Sequence, residues 1–143
     1  MGLRDKVRID DPVAPGEGQR LRAARFWTAL GGSPLHHWQE GMAVCSGAPR
    51  ILVGLAPSYS DLDLDLADLL IARAPRHPEV HIDVFDVLEV RDADDLENYI
   101  PGIGKVHHTP IVGVWRNGNV VQTGAGFAGR KLILSVLGGE PEL

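Results

Sequence analysis

Six consecutive apolar residues, 51–56 (Ile-Leu-Val-Gly-Leu-Ala), constrain the fold of this chain more than any other feature of its sequence. Pro49 and Pro57 bound the segment, so it is too short for a typical helix. Its side chains would point to both faces of a sheet, and an apolar residue on both faces is typical of a strand with helices packed on either side. The segment therefore predicts the buried central strand of an α/β protein.

Two helices are predicted before this strand. Apolar residues recur at helical spacing over residues 18–30, and Gly31 and Gly32 supply a C-terminal stop. A second helix is predicted over residues 34–46, with Ser33 as its cap. Both predicted helices therefore precede the α/β unit in the chain.

The elements after the strand alternate. Ser60 is placed to cap a helix with leucines on one face and aspartates on the other. A second strand is predicted over residues 81–87, and a short acidic helix from Asp92. Asn117-Gly118 predicts a type I′ turn that joins two more strands into a hairpin. A last helix carries Leu132, Ile133, Val136 and Leu137. The predicted order is α-α-β-α-β-α-β-β-α.

Composition limits the classes of partner. The chain has 143 residues, 44% of them apolar, which suits one core. Residues 1–17 mix charge with Pro and Gly and are predicted to form a flexible arm, with the domain spanning residues 18–143. A net charge of −5 argues against nucleic acid. Without a long apolar run, no membrane contact is predicted, and without an apolar stretch near the N-terminus a cytoplasmic location is expected.

Cys45 is the only cysteine, so a disulfide within the chain is excluded, as is a zinc site with two thiolates. Histidines could still bind a metal, but Pro78 separates His77 from His81, and the pair would not share a helix face. Neither a metal nor a cofactor is therefore predicted. The full set of histidines is His36, His37, His77, His81, His107 and His108.

Three segments resemble thioredoxins. Residues 56–62 resemble the end of the first central strand, where the two active cysteines would fall on Tyr59 and Leu62. Residues 106–111 resemble the loop that holds a cis-proline, which implies a cis Thr109-Pro110 bond. The third segment is the hairpin of residues 114–121. The resemblance implies a thioredoxin-like fold with a mixed sheet of four or five strands, flanked by helices, plus an extra N-terminal helix.

The same resemblance implies a site without its redox chemistry. A phenol at Tyr59 takes the place of the thiolate that attacks disulfides. Val53 aligns with the buried acid that assists proton transfer, and aspartates surround the start of the helix. We therefore expect a non-catalytic module that binds a protein or peptide. The residues predicted to bind it are Tyr59, Ser60, Asp61, Asp63, Asp65, His107, His108, Thr109 and Pro110.

The two leading helices and the Asp-rich connection resemble a closer family, the hydrogenase-expression proteins of the HyaE/HupG type. These are accessory proteins that bind the signal peptide of a nickel–iron hydrogenase small subunit, and the resemblance implies a similar chaperone role here. Two alternatives remain open. Cys45 could serve a single-thiol oxidoreductase or transferase, or Trp27 and Trp38 could form a homodimer interface.

Overall fold

The protein is described from a computed structural model, and the structure describes residues 2–10, 12–38 and 49–137. These residues fold around one mixed sheet with helices packed against it. Among them, no helix has both the length and the apolar character needed to cross a membrane.

The sheet has five strands in the order β1-β3-β2-β4-β5, which confirms the predicted mixed sheet. The strands are β1 (His36–His37), β2 (Arg50–Leu55), β3 (His81–Asp86), β4 (Ile111–Arg116) and β5 (Asn119–Ala125). The first three are mutually parallel where they pair, whereas β4 runs antiparallel to both β2 and β5. All six residues of β2 are buried, as the apolar run predicted.

Five α-helices lie within the described residues. They are α1 (Leu3–Val7), α2 (Glu17–Leu30), α3 (Asp61–Arg73), α4 (Ala93–Tyr99) and α5 (Phe127–Val136). The predicted cap of α3 is confirmed, because the Ser60 hydroxyl accepts the backbone N–H of Asp63 at 3.2 Å. The hairpin turn is confirmed too: Asn117 has φ 54° and Gly118 has φ 81°, both in the left-handed region that a type I′ turn requires.

Each face of the sheet packs its own cluster of buried side chains. The larger cluster includes Phe26 of α2, Leu70 of α3 and Ile133 of α5. On the opposite face the aromatic ring of Phe85 lies across Gly54, where a Cβ would collide with it. A glycine in the central strand therefore makes room for an aromatic ring. The candidate site lies at the ends of β2 and β3 and the start of β4.

The prediction of a flexible arm over residues 1–17 is wrong for α1. Leu3 and Val7, one helical turn apart, are fully buried in the larger cluster. The backbone N–H of Leu3 also donates to both carboxylate oxygens of Asp68, at 2.9 and 3.1 Å. Two apolar residues were too few to give a helical pattern in the sequence, and tertiary contacts with α3 supply the stability that the pattern lacked.

The predicted helix over residues 34–46 is wrong at its start. His36 and His37 form β1, which pairs with Asp83 and Val84 of β3. The His37 ring stacks on Trp27 with 3.9 Å between ring centroids, which fixes the extended strand against α2. The rest of that prediction, including Cys45, falls on residues 39–48, outside the described residues.

Candidate functional site

A cleft of about 620 Å³ opens at the edge of the sheet where β2 and β3 end and β4 begins. Parallel strands end at the same edge, so the segments that follow them converge there. The start of α3, the turn after β3 and the loop before β4 form its walls. The lining residues are Tyr59, Ser60, Asp61, Leu62, Val87, Val106, His107, His108, Thr109 and Ile111.

Exposed apolar side chains line this cleft next to the polar side chains of Ser60, Asp61 and residues 107–109. Tyr59 is 58% exposed and Leu62 is 65% exposed, and Leu88, which follows the lining residue Val87, is 62% exposed. A second cavity of about 400 Å³, which shares Val87 and three other lining residues with the first, extends the apolar surface toward α4. Clustered exposed apolar side chains are typical of a surface that binds another molecule.

A tight turn sets the position of Tyr59. The carbonyl of Ala56 accepts the N–H groups of Tyr59, at 3.3 Å, and Ser60, at 2.9 Å. The carboxylate of Asp63 reaches back from α3 and accepts the N–H of Ala56 at 2.8 Å. These bonds hold the turn at both ends, so the phenol ring of Tyr59 stands in solvent on a fixed backbone.

Of the three aspartates predicted to form an acidic surface at the start of α3, Asp63 is buried, whereas Asp61 and Asp65 are exposed and paired with arginines. Asp63 is 2% exposed, because its carboxylate is used inside the turn. Asp61 does line the cleft, but its carboxylate pairs with Arg22 of α2 at 2.9 Å. Asp65 pairs with Arg4 of α1 at 2.7 Å and does not line the cleft. Arginines of the two N-terminal helices thus offset charges that the sequence suggested were free for a partner.

The loop before β4 forms the opposite wall. His107 and His108 are exposed, and Thr109 is half-buried beside them. The Thr109-Pro110 peptide bond is cis. Pro110 itself is buried and does not line the cleft, and its carbonyl accepts the N–H of Gly126 at 2.9 Å. Of the four loop residues predicted to bind a partner, the structure therefore brings three to the cleft.

A compact turn after β3 forms the third wall. The Asp86 carboxylate accepts the N–H of Leu88 at 2.9 Å, and Glu89 accepts the N–H of Asp86 at 2.7 Å. Glu89 also contacts the Nε2 atom of His37 at 2.8 Å. Burial raises the pKa of Asp86 above its ordinary value, the hydrogen bond from Leu88 opposing that effect. These contacts hold the backbone of the turn from which Val87 lines the cleft.

The structure does not support two other hypotheses raised from the sequence, a dimer interface formed by tryptophans and a metal site formed by histidines. Trp27 stacks on His37 and Trp38 packs on Tyr99, so both tryptophans, considered for a homodimer interface, are partly buried within the chain. Over residues 2–10, 12–38 and 49–137, no three His, Cys, Asp or Glu side chains are grouped to hold a metal ion.

Sequence reasoning missed the apolar part of the cleft. Leu62 was assigned to the buried face of α3, yet the first turn of that helix projects beyond the sheet edge. Nothing in the sequence indicated that Val87, Leu88 or Ile111 would lie near the cleft. An apolar residue next to the end of a strand is usually interpreted as part of the hydrophobic core. For Leu62 a signal did exist, since the resemblance to thioredoxins placed an active cysteine there.

Comparison with protein-family models and with curated proteins finds no match. Among solved structures, the chain is similar to a thioredoxin of Fasciola hepatica, with 17% identity and a TM-score of 0.49 over 82% of this chain and 94% of that chain. Thioredoxin O1 of Arabidopsis thaliana, in its oxidised state, matches with 14% identity and a TM-score of 0.48 over 79% and 89%. ERdj5 matches with 15% identity and a TM-score of 0.52, over 82% of this chain but 15% of that chain. The five-stranded mixed sheet with its flanking helices is a thioredoxin-like fold.

Proposed function

We propose that this thioredoxin-like chain is a protein-binding module that receives an extended segment of a partner in the cleft and does not exchange disulfides. The observation that carries the proposal is the pair of exposed side chains, Tyr59 and Leu62, that line a cleft of about 620 Å³. Exposing such side chains is unfavourable in water, so burial against a partner is a source of affinity.

The absence of dithiol chemistry is supported by the residues that occupy the place of the cysteines. The resemblance puts those cysteines at Tyr59 and Leu62, and neither side chain can form or break a disulfide. Since Cys45 is the only cysteine of this chain, a second thiol from the same chain is not available to resolve a mixed disulfide. Binding is then the activity left to this surface.

The cleft favours an apolar partner segment over a basic one. Leu62, Val87, Val106 and Ile111 line it, while the carboxylate of Asp61 is already paired with Arg22. A signal peptide offers such a segment, because its central region is a run of apolar residues. This agrees with the partner implied by the resemblance to hydrogenase-expression proteins, the signal peptide of a hydrogenase small subunit. We extend the proposal to that partner and to a chaperone role during maturation.

The two alternatives differ in their support. A single-thiol enzyme would rest on Cys45, which lies outside the described residues, and it stays a prediction. A homodimer through Trp27 and Trp38 is disfavoured, because both side chains already pack within the chain.

Binding kinetics test the proposal. The probe is a synthetic signal-type peptide with an arginine followed by a leucine-rich run, and the matched probe replaces each leucine with serine. We expect the leucine peptide to bind and the serine peptide not to bind. Tyr59→Ala should raise Kd about tenfold, mainly through faster dissociation, which corresponds to about 1.4 kcal/mol of lost contact.

The control variant is Val121→Ala, which removes a 49% exposed apolar side chain from β5, outside the set of residues that line the cleft. It should leave Kd unchanged. Equal affinity of wild type and Tyr59→Ala for the leucine peptide, or no binding of either peptide, would contradict the proposal.

A further inference from the structure

The loop between α4 and β4 supplies four lining residues of the cleft, Val106, His107, His108 and Thr109. A loop that forms one wall of a binding surface must be held in place before a partner arrives, because ordering it during binding lowers affinity. At its far end the carbonyl of Pro110 accepts the N–H of Gly126 at 2.9 Å. The near end of the loop is held by a different kind of contact.

That contact is made by the carboxylate of Glu97, on the last turns of α4. Its Oε1 atom accepts the N–H of Gly102 at 2.9 Å, and its Oε2 atom accepts the N–H of Gly104 at 2.8 Å. Gly102 has φ 85° and Gly104 has φ 73°, in the region where glycine is favoured. One side chain thereby fixes two backbone positions that precede Val106 by four and two residues.

The bonds from these amides favour the ionised carboxylate. The two backbone hydrogen bonds lower the pKa of Glu97 below its ordinary value, the bond from Gly102 contributing most. A charge-assisted hydrogen bond is stronger than a neutral one. The N–H of Ile103 also donates to the carbonyl of Ile100, whose side chain is fully buried, and Ile103 and Val106 pack against the same hydrophobic cluster as Ile100. Glu97 therefore joins the exposed loop to a helix that packs on the sheet.

We propose that Glu97 is a positioning residue of the binding site: its carboxylate holds the loop so that Val106–Thr109 forms a ready wall of the cleft. The inference rests on the proposed function, because it assigns a regulator of affinity to the same surface. Glu97 is not among the lining residues, so it would act through the loop and not by contact with the partner. When the loop is held only part of the time, the measured Kd rises in inverse proportion to that fraction.

The experiment compares Glu97→Ala, Glu97→Gln and wild type. Alanine removes both acceptors, whereas glutamine keeps one carbonyl oxygen and turns an N–H group toward the second amide. The matched control is Asp94→Asn, which removes an exposed charge from the same helix without touching Gly102 or Gly104. For each protein we would measure amide hydrogen exchange along the loop, the thermal midpoint, and Kd for the leucine-rich peptide.

We expect Glu97→Ala to speed exchange at Gly102, Gly104 and His107 and to raise Kd about fivefold, with the thermal midpoint little changed. Glu97→Gln should show a smaller rise, about twofold, and Asp94→Asn none. A merely structural role would lower the thermal midpoint and speed exchange throughout the sheet, without the graded response of the two variants.

The outcomes separate this inference from the proposed function. If wild type binds the peptide and Glu97→Ala binds it equally well, the positioning role is overturned while the proposed function stands. If wild type does not bind, the proposed function fails, and exchange at Val106–Thr109 decides the inference alone: faster exchange there in Glu97→Ala supports it, and unchanged exchange overturns it.

Discussion

The start of α3 and the cleft beside it differ in how their side chains are used. In α3 the carboxylates of Asp61, Asp63, Asp65 and Asp68 each have a partner within the chain, either an arginine or a backbone N–H. In the cleft, by contrast, the side chains of Tyr59 and Leu62 are more than half exposed. The acids thus pair within the fold, and the exposed apolar side chains are the ones that the proposed function assigns to a partner.

The contrast between α3 and the cleft is tested most strongly at Asp63, where we expect the largest loss of unfolding free energy. Asp63→Ala removes the acceptor for the buried N–H of Ala56, and an unsatisfied buried donor costs about 1–3 kcal/mol. Chemical denaturation should show this loss of unfolding free energy. Asp63→Asn keeps an acceptor oxygen and should lose less. A stable Asp63→Ala protein would mean that this carboxylate is available to a partner after all.

A smaller effect is expected at Asp68, which tests whether α1 belongs to the fold. Asp68→Ala deletes the acceptor for the N–H of Leu3, and we expect a loss of about 1 kcal/mol. Hydrogen exchange should quicken across Leu3–Val7 in this variant. If exchange in α1 is already fast in wild type, the helix is loosely held and the sequence prediction of an arm would be restored.

The smallest effect on stability is expected in the cleft. The double variant Tyr59→Ala with Leu62→Ala truncates side chains that are 58% and 65% exposed, so its unfolding free energy should stay within about 0.5 kcal/mol of wild type. Equilibrium denaturation beside the peptide-binding assay measures both consequences. A drop of several kcal/mol would show that these side chains belong to the core and would remove the contrast with α3.

Local sequence patterns correctly predicted the elements that neighbouring residues stabilise. The run in β2, the Ser60 cap and the Asn117-Gly118 turn each depend on neighbouring residues, and each is confirmed. The helix α1 and the strand β1 depend on distant partners, and both were missed. Asp63 was expected among exposed aspartates at the start of the helix, and nothing in the sequence indicated that its carboxylate would bend back to the N–H of Ala56. Whether a polar side chain is buried depends on the group to which it hydrogen-bonds. A single sequence does not show which residues form such pairs.

The bond between Leu3 and Asp68 also has a consequence for how the chain is made. The two residues are 65 positions apart, so at roughly 5–20 residues per second the ribosome adds Asp68 about 3–13 s after Leu3. During that interval the N–H of Leu3 lacks its carboxylate acceptor in α3, although α2, the other helix that α1 contacts, has already been made. The two N-terminal helices can therefore meet before α3 exists, and the middle of the chain completes their attachment to the sheet.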